Sequence, residues 1–183
     1  MVAFLVRLFV VQTFWVPSGS MLPTLHQHDR VIVNKLAFHF NSPDRGEVVV
    51  FHSPESWRND PSETVFVKRL IGLPGDLVVC CDTTGRLLVN GQAVNEPYLN
   101  FTESARTPAD NEFTITVPAG RVWVMGDNRY ASGDSYYNWN ATHDIQQSTI
   151  PESALIGRAF VLFWPFGHWK WLGIPSGWNA VPS

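Results

Sequence analysis

Three segments hold groups that could act together on one bond. Pro17-Ser18-Gly19-Ser20-Met21-Leu22-Pro23-Thr24 sets two hydroxyls around a glycine, with a proline stiffening each side. Such a turn can present a hydroxyl beside free backbone N–H groups, the arrangement a nucleophile and an oxyanion hole need. In Val65–Asp76, Lys68 and Arg69 are consecutive within an apolar strand pattern, so one of them points toward the apolar side. Burial disfavours the ammonium, and a neutral amine at pH 7 is a general base. Gly126–Ser135 follows a strand and is dense in groups that hydrogen-bond locally. Taken singly, each segment also reads as something ordinary: a Ser/Gly/Pro turn, a snorkelling lysine beside an ion-paired arginine, an Asx-rich turn. Taken together they are the parts of a Ser–Lys dyad with a polar clamp.

The elements that must position these groups read as strands. Alternation and β-branching predict strands at Arg30–Lys35, Glu47–His52, Val65–Ile71, Leu77–Cys81, Leu87–Val89, Phe113–Val117, Val122–Met125 and Ala159–Trp164. Asn90-Gly91 signals a two-residue hairpin, and Pro118-Ala119-Gly120 predicts another between its flanking strands. No window after residue 20 keeps a helical period for more than about two turns. The expected fold is mainly β, an antiparallel sandwich or barrel-like sheet. Pro54–Glu63 reads as a loop, and Asn95–Glu112 as a long insertion or flap. The two cysteines, Cys80 and Cys81, are adjacent. On a strand they would point to opposite faces, one buried and one half-covered; a vicinal disulfide is the strained alternative.

The chain has 183 residues, enough for one domain with a real core. Charged residues make up 16% and the net charge is -3, which excludes a nucleic-acid partner held by bulk electrostatics. Eight Trp in so weakly charged a chain point to a surface that meets a membrane interface or an extended peptide. His26 and His28 offer two imidazoles, but the sequence places no third ligand nearby, so no metal is expected.

Val2–Val16 is apolar except for Arg7, Gln12 and Thr13. As a helix it would span roughly 22 Å, short of the ~30 Å hydrocarbon core. It reads as a partial membrane anchor; a core or interfacial segment and a cleaved signal peptide are the alternatives. The chain therefore divides into an apolar segment (1–16), a β domain (17–163) and a Trp/Gly/Pro-rich tail (164–183).

The segments PSGSMLPTL (Pro17–Leu25), RGEVVVF (Arg45–Phe51), VKRLIGLPGD (Val67–Asp76) and GDNRYASGDS (Gly126–Ser135) resemble, in this order, the bacterial type I signal peptidases. The resemblance runs from about Phe14 to Phe163, and the CCD and GRAFVLFWPFG stretches look like the actinobacterial branch. It implies a largely antiparallel β fold, an extended groove that takes substrate as an added strand, and at least one membrane span before the serine. By resemblance, Ser20 is the nucleophile and Lys68 the general base. Ser18 shares the oxyanion hole with the Ser20 N–H, and Ser132 orients the lysine. Asp127 and Arg69 form a supporting ion pair, and Arg129 and Asp134 take polar clamp positions. Val16, Pro17, Met21, Leu25, Phe66 and Val67 line the substrate pockets. Tyr130 and Ala131 stand where the family often has Asp-Asn, and Tyr136 where it has Arg, so this clamp is less charged. The implied activity is removal of signal peptides from exported preproteins after Ala-X-Ala sites, at the outer face of the bacterial cytoplasmic membrane. Its partners would be signal peptides and membrane lipid. The resemblance implies no cofactor. Another Ser–Lys processing protease and a peptide-binding β module without catalysis are the alternatives.

Overall fold

The computed structural model describes residues 10–99, 109 and 111–182. These residues form twelve strands: β1 (Val11–Trp15), β2 (Arg30–Asn34), β3 (Val48–His52), β4 (Val65–Gly72), β5 (Leu77–Cys80), β6 (Leu87–Val89), β7 (Gln92–Ala93), β8 (Phe113–Thr116), β9 (Arg121–Met125), β10 (Ile150–Pro151), β11 (Leu155–Trp164) and β12 (Lys170–Trp171). Among the described residues two short α-helices accompany them, α1 (Ala37–Phe40) and α2 (Ser135–Thr142), with four 3-10 turns. All pairings are antiparallel. The larger sheet runs β1-β2-β11-β3-β4-β9-β10, and the smaller runs β7-β6-β5-β8. Both the fold class and most predicted strands are as the sequence implies.

The larger sheet is covered on both faces, which is why β3 is an unbroken apolar run rather than an alternating one. Val48 and Val50 pack with Val31, Val33, Leu162 and Met21 on one side. Val49 and Phe51 pack with Trp57, Leu70 and Val124 on the other. Each such side chain contributes roughly 1.5–3 kcal/mol of burial. The smaller sheet packs Val78, Leu87, Val89 and Ile115 against Ile71, Trp123 and the tail residue Trp178. Ten residues long, β11 pairs with β2 along one edge, and its other edge is shared by β3 and then β12.

Several expectations change. The final part of the apolar N-terminal segment, Val11–Trp15, is an edge strand paired with β2 rather than helix; residues 2–9 lie outside those described. Pro118–Gly120 does not close a hairpin, because β8 pairs with β5 and β9 with β4. Phe113, Ile115 and Val117 meet Trp123 through the core instead. Cys80 and Cys81 are joined in a disulfide. Strand β5 ends at Cys80, so alternation does not extend to Cys81. The predicted flap at 95–112 is described only at its ends. In the tail, Leu172 and Trp178 are buried while Trp164, Phe166, Trp169 and Trp171 are exposed.

Candidate active site

Ser20 sits on the loop between β1 and β2. The loop is tied at its neck, where the Val16 N–H donates to the Asp29 carbonyl and the His28 N–H to the Val16 carbonyl, both at 2.9 Å. Met21 and Leu25 anchor it from beneath with no exposed area. At the top, Ser18 Oγ donates to Ser20 Oγ at 3.3 Å. No described group accepts from the Ser20 N–H.

Lys68 lies on β4, buried, with its Nζ 2.8 Å from Ser20 Oγ and 3.1 Å from the Val67 carbonyl. Burial pulls its pKa down to about 8, against the upward pull of the Asp134, Asp127 and Glu63 carboxylates. A substantial fraction of the amine is then neutral near physiological pH and can accept the Ser20 proton.

Arg69, on the opposite face of β4, is buried too. Its Nε and Nη2 donate to the two Asp127 oxygens at 2.8 and 2.6 Å, and its Nη1 donates to the Gly46 carbonyl at 2.7 Å. The Tyr98 ring lies 4.0 Å from the guanidinium carbon. The bidentate pair fixes the start of the 126–135 loop against β4.

That loop also grips the serine turn. The Asn128 N–H donates to the Ser20 carbonyl at 3.0 Å, and Asn128 Nδ2 donates to the Gly19 carbonyl at 3.1 Å. Arg129 donates to Glu96 through both terminal nitrogens and, from Nε, to the Gly126 carbonyl at 3.0 Å. Asp134 accepts the Gly126 N–H at 2.8 Å and caps α2 by accepting the Tyr137 N–H. Burial pushes the Asp134 carboxyl above its usual range, opposed by the Gly126 N–H. Ser132 is buried beside Gly126; its hydroxyl does not reach Lys68 and, among the described residues, makes no hydrogen bond of good geometry, Asp134 being the acceptor it interacts with.

A cavity of about 210 Å³ opens over the Ser20–Lys68 pair, between Ser18, Ser20, Phe66 and Lys68 on one side and Ala131 and Gly133 on the other. A smaller apolar hollow of about 70 Å³ continues past Pro17 and Val67 toward Val16 and Phe14. Both run along the Val65–Lys68 edge of β4, which is free among the described residues because β9 pairs only with Arg69–Gly72. Of the residues expected to line substrate pockets, Val16, Pro17, Phe66 and Val67 border these hollows, whereas Met21 and Leu25 belong to the core and line neither. The sequence reading missed Asn128, Glu96, Tyr98 and Gly126. Asn128 was legible as part of an Asx-rich turn; Glu96 carried no local signal.

The family described as "Signal peptidase, peptidase S26" matches residues 1–164. Signal peptidase I of Leptolyngbya laminosa is 40% identical over 94% of this chain and 78% of its own length. Signal peptidase I of Mycobacterium tuberculosis is 36% identical over 96% of this chain and 69% of its own length. A crystal structure of a signal peptidase I from Enterococcus faecalis superposes with a TM-score of 0.49 at 29% identity, covering 64% of this chain and 97% of that one. The family match takes in every strand of both sheets except β12, and relatives align along most of their own length. The chain therefore belongs to the signal peptidase family, peptidase S26, and is a serine endopeptidase.

Proposed function

We propose that this protein removes signal peptides from exported preproteins through Ser20 as nucleophile and Lys68 as general base. The single observation that carries the dyad is the 2.8 Å approach of a buried Lys68 Nζ to Ser20 Oγ. The substrate enters extended and adds to the free Val65–Lys68 edge of β4. Neutral Lys68 takes the Ser20 proton as Oγ attacks the scissile carbonyl. The developing oxyanion is held by the Ser20 N–H and the Ser18 hydroxyl. Lys68 then protonates the leaving amine, and the same amine activates the water that hydrolyses the acyl-enzyme. The two modest hollows, the smaller of them apolar, suit small side chains, such as Ala, one and three positions before the cut.

The reaction takes place at the outer face of the cytoplasmic membrane. Two features support this placement: the apolar stretch Val2–Val16 and the exposed aromatic group of Trp164, Phe166, Trp169 and Trp171. Among the described residues no helix is long and apolar enough to cross a membrane.

The test is cleavage of a preprotein with an Ala-X-Ala site, in detergent, by the wild type and by Lys68→Ala. The expected result is a product cut after the final Ala, absent with the variant. Cleavage that survives Lys68→Ala would contradict the dyad, and cleavage at unrelated positions would contradict the specificity.

A further inference from the structure

Away from the dyad, three metal-ligating side chains converge at the neck of the Ser20 loop. His26 and Asp29 lie on the tight turn that closes the loop, where the Asp29 N–H donates to the His26 carbonyl at 3.2 Å. His168 arrives from the one-turn 3-10 segment Phe166–His168 that joins β11 to β12. Its Nδ1 lies 2.9 Å from Asp29 Oδ1, and the His26 and His168 ring centres are 4.9 Å apart. One ligand atom from each residue falls within 4.8 Å of the other two. His28, the partner the sequence suggests for His26, instead stacks on Trp15. The third ligand that the sequence does not place nearby is therefore supplied by the tail.

Two features make this more than a surface coincidence. Asp29 is fully buried, and its Oδ2 is held by the His26 N–H at 2.7 Å, which aims Oδ1 at His168. A buried carboxylate is costly unless hydrogen bonds or positive charge compensate it; here Lys170 lies close enough to interact with Asp29, and a cation between the two imidazoles would add to that. The two imidazoles are half exposed, so their rings can turn. Ligand atoms on a tetrahedral zinc ion stand about 3.3–3.6 Å apart, given bonds of about 2.0–2.2 Å. The His168–Asp29 pair, at 2.9 Å, has to open by about 0.5 Å and the wider separations, up to 4.8 Å, have to close by about 1 Å, changes that rotation of two half-exposed rings can supply.

We propose that His26, Asp29 and His168 form a binding site for a divalent transition-metal ion of the zinc class, clipping the tail hairpin to the neck of the Ser20 loop. Two histidines and one carboxylate are a donor set that such ions favour.

The test uses the full chain without a histidine tag, in detergent, stripped with chelator and dialysed. It is titrated with Zn²⁺ by calorimetry and with Co²⁺ by visible absorption. The expected result is one saturable equivalent, with a four-coordinate d–d band for Co²⁺. His26→Ala and His168→Ala should each weaken binding by at least tenfold, while His143→Ala leaves it unchanged. Circular dichroism checks that the variants fold; His168→Gln replaces any alanine variant that does not. Absence of a saturable site, or a site that persists in both His26→Ala and His168→Ala, would overturn the proposal.

Discussion

The Ser20 carbonyl accepts the Asn128 N–H at 3.0 Å while passing so close to Gly126 that a β-carbon there would collide with it and with Ser132 Oγ. The Ser20 turn and the 126–135 loop are thus one unit, seated on a residue that can carry no side chain. Gly126→Ala should displace Ser20 relative to Lys68 and lower kcat by about a hundredfold, the scale expected for a small misplacement of reacting groups. Peptide cleavage kinetics, with circular dichroism showing a retained β fold, check this. Unchanged kcat would contradict the seating role.

Ser18 donates to Ser20 Oγ at 3.3 Å and borders the same cavity. If its hydroxyl turns to the oxyanion when substrate binds, Ser18→Ala should lower kcat by about 10²–10³-fold with little change in KM. A fall confined to KM would assign Ser18 to ground-state binding.

Asp127 neutralises the buried Arg69 with two hydrogen bonds, at 2.8 and 2.6 Å. Asp127→Ala leaves that guanidinium buried without its carboxylate. Denaturant unfolding should then show a loss of about 3–5 kcal/mol. A loss under about 1 kcal/mol would mean that the Gly46 carbonyl and Tyr98 ring suffice.

Lys68 carries a stability cost whose sign follows from its depressed pKa, about 8 against 10.5 in the unfolded chain. Below pH 8 both states hold the proton and the folded state bears the full penalty of a buried ammonium. Between pH 8 and 10.5 the unfolded chain binds more protons, so this contribution to stability rises with pH. Lys68→Met removes the penalty: at pH 7 it should abolish cleavage while leaving Tm equal or a few degrees higher. A large fall in Tm would show that the ammonium is held by stabilising bonds.

The strands were readable because period-2 alternation and β-branching mark a half-buried surface, and β3 was readable because both faces of its sheet are covered. Singly, the Ser20 turn, the Lys68-Arg69 pair and the 126–135 loop read as ordinary features; it was their conjunction, and four segments in the order the resemblance requires, that made the site legible. What escaped depends on contacts distant in sequence. Strand β1 looked like anchor helix because apolar content does not distinguish the two, and its pairing with β2 decides. The hairpin predicted at Pro118–Gly120 failed because Phe113 and Trp123 meet across a core rather than along a ladder. Glu96 and His168 find Arg129 and Asp29 across 33 and 139 residues, separations that no local pattern encodes.

The central claim is that a neutral Lys68 activates Ser20, and the pH dependence of kcat/KM for a short peptide substrate tests it most directly, since that ratio reports the free enzyme's ionisations. Because Lys68 titrates at about 8, the rate should fall about tenfold per pH unit below that value and level off above it. A profile flat down to pH 6, or one whose acid limb sits near 6.5 as for an ordinary histidine, would contradict the account.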